Sequence, residues 1–264
     1  MIVWLALYLS VGVVTGMLSG LLGIGGGLII VPALLFIFSS EQIGTVHQMH
    51  LAIGSSLAIM VFTSQSSVRA HHRYGRILWS VYKLFAPGIL LGAVIGVLVA
   101  DFLATDVLKI IFGIFLLVVA GQMLLSGEPK HSFVGLPNRM LTRSISVGMG
   151  GLSGMLGVGG GSLIVPYLNY HRIPLRNSIA IGALVSLTVA LVGSLVCVYT
   201  GWDASDLPRW SSGFIYWPAV LTIAISSMVF APLGAKLTYH LPVPFLKRLF
   251  AIFLSLTALK MLVS

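Results

Sequence analysis

Residues 16–32 read GMLSGLLGIGGGLIIVP, and residues 150–166 read GGLSGMLGVGGGSLIVP. At a constant offset of 134 the two stretches share 12 of 17 residues, among them Gly16/Gly150, Ser19/Ser153, Gly20/Gly154, Gly23/Gly157, the triplets 25–27 and 159–161, and Ile30-Val31-Pro32 with Ile164-Val165-Pro166. Small residues four apart let two helices meet backbone to backbone. Three consecutive glycines exceed what packing needs, since each costs roughly 1 kcal/mol in a helix interior. The triplets Gly25-Gly26-Gly27 and Gly159-Gly160-Gly161 therefore predict a break in a helix inside an apolar segment. In lipid such a break survives where protein or a watery cavity shelters the freed backbone groups. Transporters build binding sites this way, with a half-helix N-terminus aimed at an anionic group.

The surroundings of the motifs are membrane-like. The 264 residues are 58% hydrophobic and 8% charged, with a mean hydropathy of +1.05, which excludes a soluble domain. Apolar runs near the spanning length of about 20 residues fall at 46–66, 78–100, 106–126, 176–199, 214–235 and 244–263. The motif segments cover 3–38 and 142–170. The second splits into arms of roughly 16 and 9 residues, about 24 and 14 Å long at 1.5 Å per residue. Neither arm crosses a hydrocarbon core of about 30 Å, so a re-entrant hairpin fits. The leading arm of the first, residues 3–22, is long enough to span, so that copy is open to either reading. The N-terminal run MIVWLALYLSVGVV lacks a basic start and a small-x-small cleavage site, so it is expected to stay in the mature protein.

The duplication continues beyond the motif: Ala52-Ile53-Gly54 matches Ala180-Ile181-Gly182, Pro87 answers Pro218, and KIIFGIFL at 109–116 parallels KRLFAIFL at 247–254. The expected architecture is an all-α polytopic membrane protein of two inverted repeats, residues 1–130 and 131–264, each a glycine-broken re-entrant hairpin plus three transmembrane helices. The net charge of +9 reads first as topology, because Lys and Arg gather in cytoplasmic loops. The hairpin arrangement puts 12 basic residues inside and leaves Lys109, Arg209 and Lys260 outside, whereas eight alternating spans give 9 against 6. Positive-inside favours the hairpins.

The doubled G-x-x-G-x-G-G-G-x-x-x-V-P pattern, as GLLGIGGGLIIVP and GMLGVGGGSLIVP, resembles the TauE/SafE family of sulfite exporters and toluene sulfonate uptake permeases, over essentially the full chain. The resemblance implies a secondary transporter in the cell inner membrane, an exporter of sulfite, an organosulfonate or a related small anion. It leaves the individual substrate and the direction open.

The residues themselves nominate a site. Free N–H groups at Gly25, Gly26, Gly27, Gly159, Gly160 and Gly161 would bind an oxyanion with help from the helix dipole. Ser55, Ser56, Ser162 and Ser186 would donate further hydrogen bonds, with Thr63, Ser64, Gln65 and Thr188 as further candidates, although serine hydroxyls in membrane helices also bond to the preceding turn. Gly16, Gly20, Gly150 and Gly154 are expected to pack helices. His47 and His50, three apart at the mouth of a span, suit a proton pathway, whereas His71, His72, His131, His171 and His240 read as interfacial. No apolar span has Asp or Glu at its centre, so proton carriage on an intramembrane carboxylate is a poor fit. Histidine, the substrate itself or Na+ at backbone carbonyls would then carry any coupling. The lone Cys197 has no disulfide partner in this chain, and no metal or cofactor is expected. The expected partners are the anion and the lipid bilayer, with H+ or Na+ as coupling ion and oligomerisation both open, and no nucleic acid. A histidine-using redox or metal protein and a non-transporting membrane scaffold are the alternative readings.

Overall fold

The computed structural model describes residues 2–22, 25–43, 46–125, 135–237 and 243–263. These form helices α1 (Ile2–Leu22), α2 (Gly27–Glu41), α3 (Gln48–Arg73), α4 (Trp79–Asp101), α5 (Thr105–Leu125), α6 (Arg139–Met155), α7 (Gly161–Tyr170), α8 (Leu175–Thr200), α9 (Trp217–Leu237) and α10 (Val243–Val263), with a two-stranded hairpin, β1 (Ser211–Ser212) and β2 (Ile215–Tyr216), between α8 and α9. Six of the helices, α1, α3, α4, α5, α8 and α9, are long and apolar enough to cross a membrane. The chain is a multi-pass membrane protein.

Both glycine triplets end one helix and start another. At the second, α6 closes with Gly157 at φ 64°, its N–H on Gly154 O at 3.2 Å and the Val158 N–H on Ser153 O at 2.9 Å. That pair of bonds is the Schellman cap, whose left-handed position favours glycine. α7 then starts at Gly161, with the Ile164 N–H on Gly160 O at 3.0 Å. At the first copy, Gly25 and Gly26 sit at φ 75° and 88°, and the N–H groups of Ile29 and Ile30 both reach Gly26 O as α2 begins. After each break the chain folds back. The Tyr8 hydroxyl of α1 bonds to Glu41 at the end of α2 at 3.2 Å, and His171 after α7 bonds through Nδ1 to Gly135 O before α6 at 2.8 Å.

Helix pairing follows the small residues. α4 lies on α6 through a ladder in which Gly88 faces Arg143 O, Gly92 Val147 O, Gly96 Gly151 O, Gly150 Ile89 O and Gly154 Ala93 O, each too close for a side chain. α1 lies on α9 in the same manner, with Gly16 against Ser227 O and Gly234 against Met17 O. Exchange of the two halves maps α1·α9 onto α6·α4, α3·α9 onto α8·α4 and α2·α3 onto α7·α8, while α3·α8 and α5·α10 map onto themselves. Lipid-sized apolar side chains, such as Val118, Leu195, Ile225 and Leu256, point outward.

Two boundaries differ from the sequence expectation: α3 runs on to Arg73, beyond the span expected to end at 66, and α9 starts late. The span expected at 214–235 begins as a helix only at Trp217, because Gly213 at φ 55° and Trp210 at φ 70° turn the chain and 214–216 run into the hairpin. The hairpin rests on α3: the Tyr216 N–H donates to Ser55 Oγ at 2.9 Å, and Phe214 O lies against Gly54.

Candidate functional site

The two breaks touch each other. A Cβ added to Gly27 would stand 2.5 Å from Gly157 O and 2.8 Å from the Val158 Cα, so the start of α2 lies directly on the end of α6. The same position is 3.0 Å from Met60 Sδ on α3. A Cβ on Gly25 would meet Met60 Sδ at 3.0 Å and Ser186 Oγ at 3.1 Å. The junction is therefore framed by two helix starts, α3 and α8, and only residues without side chains let the backbones come this close.

Serines hold the junction in unequal ways. Ser56 Oγ donates to Gly157 O at 2.9 Å, which ties α3 to the second break. Ser162 Oγ donates to Gly159 O at 3.0 Å, inside its own turn. Ser55 is turned toward β2, where it accepts from Tyr216. Ser186 differs from all three: its Oγ accepts the Gly161 N–H at 3.1 Å, and among the described residues no recorded acceptor takes its own proton. A hydroxyl that receives a bond from one tip while facing Gly25 of the other is positioned to donate to something lodged between them. The start of α2 is likewise without a side-chain cap, so the positive ends of two helix dipoles meet here with few anionic or hydroxyl partners. Gly26 faces Thr15, and Gly160 lies against Val185, on the α8 side.

His47 and His50 lie at the N-terminal mouth of α3, His50 about one turn before Ile53, which meets Gly157. His47 immediately precedes α3, and its ring is 5.7 Å from that of His50, both rings flanking Phe214 at 5.5 and 5.1 Å. His50 Nε2 bonds to Ala100 O at 3.1 Å. It borders a small cavity with Ile53, Val97, Asp101, Cys197 and Thr200, and its Nδ1 is buried without a partner. His71, expected at the interface, is instead 1% exposed. His131 and His240 lie outside the described residues.

Met60, Ser19 and Ser153 carry no site role in the sequence reading, and Thr63 carries one there without its partner. Met60 separates Gly25 from Gly27 and reads as ordinary core. Thr63 on α3 bonds to Ser227 on α9 at 2.6 Å, a pairing invisible without the fold. Ser19 and Ser153, both buried with unpartnered hydroxyls, occupy matched positions of the repeated motif, and that match was the signal available.

The chain is similar to known proteins over nearly its whole length. The profile of the family described as sulfite exporter TauE/SafE matches residues 8–261. A probable membrane transporter protein of Haemophilus influenzae is 35% identical over 99% of both chains. One of Methanocaldococcus jannaschii is 29% identical over 98% of this chain and 95% of its own, and one of Bacillus subtilis is 27% identical over 72% of this chain and 77% of its own. No solved structure matches.

Proposed function

We propose that this chain, a membrane transporter that belongs to the TauE/SafE sulfite exporter family, exports sulfite, an organosulfonate or a similarly small anion through the junction of its two glycine tips. The observation that carries the reading is the contact of Gly27 with Gly157 and Val158, with Ser186 bonded to Gly161 and facing Gly25. Two helix N-termini converge on one point, that of α2 without a side-chain cap and that of α7 with its Gly161 N–H held by Ser186 Oγ, and oxyanions bind at such termini. An anion there would exchange its water for the N–H groups of Gly25–Gly27 and Gly159–Gly161 and for the Ser186 hydroxyl, while Ser56 and Ser162 hold the tips and Ser55 anchors the outer hairpin.

Alternating access supplies the transport step. The helix pairs divide into two bundles, α1 and α9 against α4 and α6, which meet along α3 and α8, the central crossing. Rocking of one bundle against the other around the tips would open the junction first to one side and then to the other, as inverted-repeat transporters do. In this arrangement residues 1–130 and 131–264 are inverted repeats, and α1–α2 and α6–α7 are the re-entrant hairpins. The basic ends, with Arg69, Arg73 and Arg76, face the cytoplasm of a bacterial-type inner membrane.

The test is uptake and efflux in proteoliposomes across sulfite, sulfoacetate, sulfolactate, thiosulfate and simple carboxylates, with Ser186→Ala and Gly26→Leu alongside. Loss of one hydrogen bond to a charged group, worth about 1.5–3 kcal/mol, predicts a fall of about 10- to 100-fold in apparent affinity for Ser186→Ala. Gly26→Leu, at a left-handed φ, should insert and not transport. Normal transport by both variants removes the tip site.

A further inference from the structure

The face of α3 that leaves the tips carries a row of polar atoms that nothing accounts for. Met60, beside Gly25 and Gly27, is followed at helical spacing by Ser64, Ser67 and His71, which share one side of the helix. All three are at most 1% exposed. Ser64 Oγ, Ser67 Oγ and His71 Nδ1 have no hydrogen-bond partner, and neither has Ser19 Oγ on α1. The opposite nitrogen, His71 Nε2, lies 3.2 Å from Gly20 O, the residue after Ser19. A carbonyl only accepts, so Nε2 carries the hydrogen and Nδ1 of the neutral ring presents a bare lone pair to the row. Buried polar groups are ordinarily satisfied, by protein or by water. The neighbours obey that rule: Thr63 bonds to Ser227, Ser66 to Met228 O and Thr15 to Val11 O. Four orphans in one seam mark a place that water or a transported species occupies.

The second half lacks the row. At the offset that aligns Ala52-Ile53-Gly54 with Ala180-Ile181-Gly182, the residues matching Ser64, Ser67 and His71 are Val192, Leu195 and Tyr199. Leu195 and Tyr199 are 71% and 80% exposed, toward lipid. The duplicated scaffold therefore folds without a serine–serine–histidine face, and the face belongs to one repeat only.

We propose that Ser64, Ser67 and His71, facing Ser19 and Gly20, line a water-accessible passage from the glycine tips to the basic end of α3, and that His71 Nδ1 carries a proton that travels with the anion. The proposal rests on the anion-transport reading above. The ring takes its proton from water at the basic end and becomes imidazolium, and once the tips have opened to the opposite side it gives that proton to water there as the anion leaves. The charges around that end are cationic: Arg69, His72 and Arg73 on α3, Arg176 at the start of α8 and Lys236 at the end of α9, where Gly234 meets Met17 of α1. Tyr8 of α1, Glu41 of α2, Asp106 and Lys109 of α5, Cys197 and Tyr199 of α8 and Tyr216 of β2 lie toward other parts of these elements. Among the described residues no carboxylate touches the ring, so its positive charge is favoured when an anion is in the passage. Linkage makes that preference reciprocal: the proton favours the anion by the same free energy.

Two measurements test it. Cysteines at Ser64 and Ser67, in a Cys197→Ser background, are exposed to a small charged methanethiosulfonate reagent in membrane vesicles, with Ile59→Cys, equally buried on α3 but off the row, as reference. The passage predicts labelling at 64 and 67 at least an order of magnitude faster than at 59, since reaction needs a water-reached thiolate. Labelling as slow as at 59 overturns the passage. In pyranine-loaded proteoliposomes, the protons moved per sulfite fall to background in His71→Gln, whatever rate remains. A wild-type ratio in that variant overturns the coupling. Wild-type protein that moves no sulfite overturns the substrate reading and the coupling together, while the labelling still decides the passage.

Discussion

Gly27 and Ser56 carry the contact between the two breaks, and each makes a prediction of its own. A methyl group at residue 27 would collide with Gly157 O and the Val158 Cα, both backbone atoms that move only if the tips separate. Gly27→Ala should therefore insert normally, lower the unfolding midpoint in detergent and reduce transport. A thermal profile unchanged from wild type would mean the tips do not touch. Ser56→Ala leaves Gly157 O without its donor, and an orphaned buried acceptor costs about 1–3 kcal/mol. Its unfolding midpoint should fall, whereas Ser55→Ala should loosen the β1–β2 hairpin, seen as changed fluorescence of Trp210 and Trp217. The sequence distinguished the glycines because three in a row violate helix propensity. It did not distinguish the serines, because a hydroxyl on an apolar helix looks the same whether its proton goes to a ligand, to the previous turn or, as at Ser56, to a carbonyl 101 residues away.

Among elements, the crossing of α4 on α6 is the clearest case of packing set by the absence of side chains. Gly92 faces Val147 O and Gly96 faces Gly151 O with no room for a methyl group, and without hydrophobic driving force in lipid such close approach is what holds helices together. Gly96→Leu should prevent assembly, read as loss of a monodisperse peak in detergent, whereas Gly121→Leu on α5, where nothing lies within 4 Å, should leave that peak intact. A monodisperse Gly96→Leu protein would show that the ladder is dispensable. At this scale most of the fold was legible. Helices end where the triplets fall, Gly150 and Gly154 pack as their spacing foretold, and the spans lie within a few residues of their expected ends, apart from α3, which runs on to Arg73. Which helix lies on which was not legible, since α1 pairs with α9 across more than 200 residues of chain and no periodicity encodes a partner. The β1–β2 hairpin was missed for a related reason: the apolar run from Phe214 reads the same whether its first residues form a short strand or a helical turn.

For the whole molecule, the exchange of contacts between halves makes the central crossing of α3 on α8 the extensive helix contact near the tips, among the described residues, that maps onto itself. If transport requires the two bundles to move, it must change there, and the interior of each bundle must not. The chain has one cysteine, Cys197, at 2% exposure, so introduced pairs can be read without interference after Cys197→Ser. Leu57 and Gly193 meet across the central crossing, where a Cβ on Gly193 falls 2.9 Å from Leu57 Cδ1. Gly12 and Ser226 meet within the α1–α9 pair, where a Cβ on Gly12 falls 3.1 Å from the Ser226 Cβ. A disulfide needs Cβ atoms about 3.5–4.5 Å apart; Gly12 and Ser226 reach that with a small shift, and Leu57 and Gly193 are in direct contact through the Leu57 methyl. Oxidation of Leu57→Cys/Gly193→Cys should stop transport and reduction should restore it, while Gly12→Cys/Ser226→Cys should transport equally when oxidised and reduced, whatever the side chain at residue 12 costs against Ile223 O. Transport that survives the bond across α3 and α8 would mean that the anion passes without relative motion of the bundles, through a junction that opens by the glycine tips alone.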